Sequence, residues 1–148
     1  MIRNVWSVMC SMALTDKETG SVSYIRCVEY GGSPVIPAVF PMLVVGTMWE
    51  KIDSDRTETM AVRIVFVTPS KAESTIFLID DVEVNLALQK MNFHLPGVQT
   101  EEFGRHELRV EYKQSGAHWL TAAILPLYIN KAAIPPHLAT SQGAMADA

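Results

Sequence analysis

Apolar and polar residues alternate along most of the chain, and the alternation has a period of two. From Val5 to Leu14, the residues Trp6, Val8, Cys10, Met12 and Leu14 fall on one face. Ser7 and Ser11 fall on the other, among smaller apolar residues. Successive side chains of a strand point to opposite sides, so this segment is predicted as a strand whose Trp6 face lies in the core. Asp16-Lys17-Glu18-Thr19-Gly20 is turn material, with Gly20 free to take positive φ. Ser21–Tyr30 alternates again through Val22, Tyr24, Val28 and Tyr30 and completes a hairpin. A turn centred between Glu18 and Thr19 sets Cys10 directly opposite Cys27, predicting adjacent, reduced thiols. A turn displaced by one residue sets Arg26 there instead, and Cys27 then faces the other way.

Gly31-Gly32-Ser33-Pro34 breaks the pattern, and Pro37 and Pro41 are expected to hold the next residues extended and outside any central ladder. Strands are predicted over Met42–Lys51 and Met60–Val67, separated by the polar loop Asp53–Thr59. Ser74–Ile79 and Val82–Leu88 follow, kinked at Asp80-Asp81. Met91, Phe93 and Leu95 share a face until Pro96-Gly97, where that run is expected to end. His106–Gln114 alternates most cleanly. Leu108, Val110 and Tyr112 point in, and Glu107, Arg109, Glu111 and Lys113 point out, as in an antiparallel sheet with one wet face. Trp119–Lys131 is a last strand, in which Pro126 marks an edge or bulge.

About eight strands at a spacing near ten residues predict an all-β, two-sheet antiparallel β-sandwich over residues 1–131. Residues 132–148 are rich in Ala, Pro and Ser, and read as a flexible or surface-laid tail. The order of these elements resembles a group of small bacterial and phage β-sandwich domains of uncharacterised function. The likeness rests on the Pro34, Pro37, Pro41 crossing and the strand closing at Thr68-Pro69-Ser70. It also rests on the final pair Phe103-Gly104-Arg105-His106-Glu107-Leu108-Arg109-Val110 and Leu125-Pro126-Leu127-Tyr128-Ile129. It implies a fold and no activity.

Composition narrows the class of partner. The chain has 148 residues, 49% of them hydrophobic and 19% charged, which suits one domain with a substantial core. Its formal net charge is −4 and its 12 basic residues are scattered, so the clustered cations that drive phosphate-backbone binding are missing and no nucleic-acid partner is expected. Ser7 and Ser11 interrupt the first apolar stretch and Asp16-Lys17-Glu18 follows it, unlike a signal peptide. No run approaches the ~18 consecutive apolar residues of a membrane span. The chain reads as soluble and cytoplasmic, with no membrane partner, and two cysteines are too few for a disulfide framework.

Candidate chemistry is sparse. Asp53, Asp55 and Glu58 supply carboxylates that a hard cation such as calcium would accept, but Arg56 and Thr57 stand where an ion-binding loop wants an oxygen ligand and a glycine. A solvated turn is the simpler reading, and it holds for Asp80, Asp81 and Glu83 also. His94, His106, His118 and His137 lack zinc-site spacing and read as surface residues. No nucleophile has a base near it in sequence, and no loop has the lysine of a phosphate cradle, so neither catalysis nor a cofactor is expected. Within Val35–Pro41, the side chains of Ile36, Val39 and Phe40 form a contact patch if exposed, or cover one end of the core. Val62–Val67, with Arg63 as its only charge, reads as an edge open to self-association. The reading is a non-enzymatic interaction or structural module whose partner is a protein, itself included. The alternative is a small-ligand or calcium-binding sandwich using its end loops.

Overall fold

A computed structural model of the chain describes residues 1–53 and 55–132. The expected tail, apart from Ala132, lies outside the described residues, and His137 with it. The described residues form nine strands: β1 (Ile2–Thr15), β2 (Val22–Cys27), β3 (Tyr30–Ser33), β4 (Ala38–Lys51), β5 (Glu58–Val67), β6 (Glu73–Val84), β7 (Leu88–Thr100), β8 (Gly104–Gln114) and β9 (Leu120–Lys131). One sheet has the order β2-β1-β4-β7 and the other β3-β9-β8-β5-β6. The chain is therefore a two-sheet β-sandwich. Its pairings are antiparallel except for β3, which runs parallel to β9 from Tyr30 opposite Tyr128 to Ser33 opposite Lys131.

β3 lies where the sequence reads as a break. Gly31 and Gly32 carry no side chain that could alternate, yet their backbone completes the edge of the second sheet. The bareness of Gly31 has a packing reason, since a Cβ there would lie 2.1 Å from the Phe40 ring. Other boundaries differ from expectation: Ser21–Tyr30 is split, with β2 ending at Cys27 and Tyr30 opening β3 in the other sheet, and Val82–Leu88 divides between β6 and β7. β7 continues through Pro96 and Gly97 to Thr100, with Gly97 at φ 71°. Pro41 lies inside β4, a central strand, but in the half that pairs with β7 alone, because β1 reaches only as far as Val44. A missing N–H is tolerated on such a one-sided stretch.

The core lies between the sheets. Leu43, Val45 and Trp49 of β4 face Val62, Ile64 and Phe66 of β5 and Leu108 and Val110 of β8. Trp49 is fully buried, and its indole N–H donates to Thr47 Oγ1 at 2.7 Å. Tyr112 packs edge-on against it, as the alternation of β8 predicts. Trp6 is a correction. It lies outside the core, because a bulge between Asn4 and Trp6 inserts Val5 and reverses the faces of β1. Asn4 fills the bulge, donating through Nδ2 to the carbonyls of Trp6 and Met48, and Ser7 Oγ donates to Asn4 Oδ1. Ile2 and Met9 enter the core, while Met12 and Leu14 are exposed.

On the outer face of the first sheet the β1–β2 hairpin folds back over the strands. Tyr24 lies across Gly46, where an added Cβ would come within 2.2 Å of its ring. Its hydroxyl donates to Asn92 Oδ1 at 2.8 Å, and its ring meets Trp6 edge-on at 5.5 Å. Cys10 and Val44 are thereby buried although they point away from the core.

A candidate interaction seam between β6 and β7

A two-sheet sandwich has two lateral seams, and this chain treats them differently. On one side β2 and β3 are joined directly through Val28 and Glu29. Val28 packs against the core, its N–H bonds Met9 O, and Glu29 O accepts from Tyr128 N. The polypeptide itself covers that side. On the other side β6 and β7 are the outer strands of their sheets, and among the described residues the chain crosses between them at one end only, through Asn85–Ala87. Gln89 holds that crossing. Its Oε1 accepts from the N–H groups of Asn85 and Leu86, and its Nε2 donates to Glu83 O.

Beyond the crossing the seam is a cleft of about 480 Å³. Phe77, Ile79 and Val82 line it from β6, and Met91 and Phe93 from β7. The Phe77 and Phe93 rings lie 5.2 Å apart and mark its floor. Ile79 is 39% exposed, and Leu86 and Leu88 at the crossing are each more than half exposed. The two strands bounding the cleft differ as edges. β6 carries Asp80 and Asp81 at a bulge, Asp81 at φ 55°, and its register shifts twice against β5. Bulges and charges of this kind blunt an edge. β7 pairs with β4 without a register shift, from Ala38 opposite Thr100 to Glu50 opposite Leu88, and among the described residues no strand pairs with its other side.

The residues singled out by sequence are dispersed. Ile36 and Phe40 pack against the core, and of the three contact residues only Val39 is exposed, at 56%. Asp53 and Asp55 are on the surface, and Asp53 Oδ1 accepts from the Asp55 N–H at 3.4 Å. The Glu58 carboxylate instead receives the N-terminal ammonium at 2.5 Å and Gln114 Nε2 at 3.1 Å. No group of three His, Cys, Asp or Glu side chains among the described residues is placed to share a metal ion.

Val62–Val67 is not an edge but an interior strand, flanked by β8 and β6. Its outward Arg63 joins Glu111 at 2.6 Å, Glu111 joins Arg109 at 3.4 Å, and Arg109 joins Glu73 at 2.7 Å. Trp119 lies over Arg63 and Lys113, 4.3 and 4.8 Å from its ring centre. These contacts lie on the outer face of the second sheet, where Leu78, opposite Arg63, and Ile124, opposite Arg109, are also exposed. β9 is interior too, but Pro126 lies in the part of it that β3 does not reach.

His106 is a further correction. It is fully buried, stacked on Phe66 at 5.2 Å, with Nδ1 3.0 Å from Gly104 O and Nε2 2.7 Å from Thr100 Oγ1. A carbonyl only accepts, so Nδ1 carries the proton and the Thr100 hydroxyl donates to Nε2. Burial holds its pKa below the ordinary histidine value. The signal was present in the alternation, since His106 shares parity with Leu108 and Val110.

No family model matches the chain, and no curated protein matches it. It is similar to a solved structure titled "X-ray structure of Northeast Structural Genomics Consortium target SoR45", over 91% of this chain and 90% of that one, with 8% identity and a TM-score of 0.41. Among the described residues no helix is long and apolar enough to cross a membrane.

Proposed function

We propose that this chain is a non-enzymatic, cytoplasmic interaction module that binds protein, a second copy of itself first of all, along the β6–β7 seam. The observation that carries the reading is the conjunction of an apolar cleft with a strand at its rim that, ahead of Pro96 and Gly97, keeps one register against β4 and pairs with no other strand among the described residues. Backbone N–H and C=O groups on a free edge are a template for another strand, and an adjacent apolar groove gives that strand's side chains somewhere to go. β7 is the pairing edge and β6 is the wall, because the bulge and acidic pair of β6 disfavour a continuous ladder. Two copies meeting through β7 extend the first sheet across the dimer and bury Met91, Ile79 and Phe77 at its centre. Nucleic acid and membrane are not its partners on this reading, given a net charge of −4 and no cationic cluster.

Light scattering on the full chain at high micromolar concentration tests it. The wild type is expected to run as a dimer, and Ile79→Lys and Leu88→Lys as folded monomers. A wild-type monomer at that concentration, or a dimer that both substitutions leave intact, overturns the reading.

A further inference from the structure

Cys10 and Cys27 are the paired residues at the base of the β1–β2 hairpin, so both thiols belong to one cross-strand position. The hydrogen bond from Val28 N to Met9 O, 2.9 Å, identifies the kind of pair. It joins the residue after Cys27 to the residue before Cys10, which makes Cys10–Cys27 a non-hydrogen-bonded pair. In such pairs the Cα atoms approach to about 4.5 Å and the side chains are at their closest. A disulfide spans Cα separations of about 4.4–6.8 Å, a range that takes in directly opposed antiparallel residues of either kind, and Arg26 beside Cys27, at φ 55°, marks where the ladder is irregular. The two thiols are free and differ in access: Cys27 is exposed, and Cys10 is fully buried beneath the folded-back hairpin.

We propose that Cys10 and Cys27 form a dithiol modification site that low-molecular-weight disulfides oxidise to an intramolecular bridge. The Cys27 thiolate attacks one sulfur of oxidised glutathione. The glutathione S–S bond breaks, one glutathione leaves as thiolate, and a mixed disulfide forms on Cys27. Cys10 loses its proton to solvent and gives up the hydrogen bond it donates to Met12 O, 3.2 Å. It then attacks the Cys27 sulfur and expels the second glutathione. Two protein thiols are oxidised and one glutathione disulfide is reduced to two thiols. Burial raises the pKa of Cys10, which keeps it protonated and unreactive towards bulk oxidant. The mixed disulfide brings the electrophilic sulfur to the one place Cys10 can reach. The bridge ties the outermost strand of the first sheet, β2, to β1 at the root of the hairpin.

The full chain is incubated with oxidised glutathione, quenched in acid, then unfolded with iodoacetamide and weighed. The expected product is a monomer two hydrogens lighter, unalkylated, yielding a Cys10–Cys27 peptide on digestion and reverting with dithiothreitol. Cys10→Ser is expected to keep glutathione on Cys27. In Cys27→Ser, an exposed and structurally mild change, folded Cys10 is expected to resist the reagent. Stable glutathione on Cys27 of the wild type, a disulfide between chains, or two thiols that remain alkylatable overturns the proposal. So does Cys27→Ser reacting at Cys10 as fast as the wild type reacts.

Discussion

His106 turns a packing position into a pH dependence. Its ring lies between Phe66 and the turn that carries Thr100, Glu102 and Gly104, and Glu102 is the charged group facing it. Glu102 favours the imidazolium, but burial opposes it more strongly, so the folded-state pKa falls below the unfolded value of about 6.5. Below pH ~6.5 the unfolded chain binds a proton that the folded chain refuses, and unfolding gains free energy. The contribution of His106 is therefore complete above that pH and is lost as pH falls from there towards the folded-state pKa. Asp16, Glu102 and Glu107 have lowered carboxylate pKa values, so their stabilisation is lost at more acid pH, below the ordinary carboxylate range. Urea midpoints measured between pH 8 and 5 are expected to decline, and His106→Gln to flatten the decline between about pH 6.5 and 5. An unchanged slope in the variant would remove His106 as its source.

At the scale of elements, the β1–β2 hairpin shows both the reach of pattern reading and where it fails. The register of Cys10 against Cys27 follows from the position of the turn, because chain length between two strands fixes which residues meet. The faces of β1 do not follow, since Val5 is an extra residue and nothing in a run of apolar residues distinguishes a bulged strand from a regular one. Asn4 and Ser7, which satisfy the bulge, are the only local hint. Trp6 consequently lies outside the core, whose buried tryptophan is Trp49. β3 was illegible for a different reason: a strand of Tyr-Gly-Gly-Ser has no alternating side chains, only backbone. The fold-back of the hairpin depends on Gly46 in the same way, through an absent Cβ. Gly46→Ala is expected to cost about 1–3 kcal/mol, the usual penalty of overpacking, because the Tyr24 ring must lift. Lifting it exposes Cys10, so native-state alkylation of Cys10 should accelerate in parallel. A loss of stability with Cys10 still protected would mean that the hairpin moves as a rigid unit and the cost lies elsewhere.

The two seams of the whole molecule account for what the sequence conveyed about function and what it did not. Ile36, Val39 and Phe40 suggested a patch, but a segment flanked by prolines folds two of its three apolar side chains onto the core's end. The cleft is invisible in sequence because Phe77 and Phe93 belong to strands of different sheets, and only the crossing at Asn85–Ala87 places them together. Amide hydrogen exchange at two protein concentrations separates the consequences. In an isolated sandwich the interior strands β4, β5 and β8 exchange slowly, and the outer strands β2, β6 and β7 exchange through local fraying. Association through β7 pairs N–H groups that the monomer leaves open, so protection in β7 should rise on concentrating the chain while β2 is unaffected. The side chains of β6 are covered in the same event, but its backbone finds no new partner, so its amides should slow far less. Protection gained in β6 and not in β7 would show that copies meet through the bulged strand, and would reverse the roles of edge and wall. Equal exchange at both concentrations, in a sample that light scattering shows to be dimeric, would place the dimer contact outside the seam altogether.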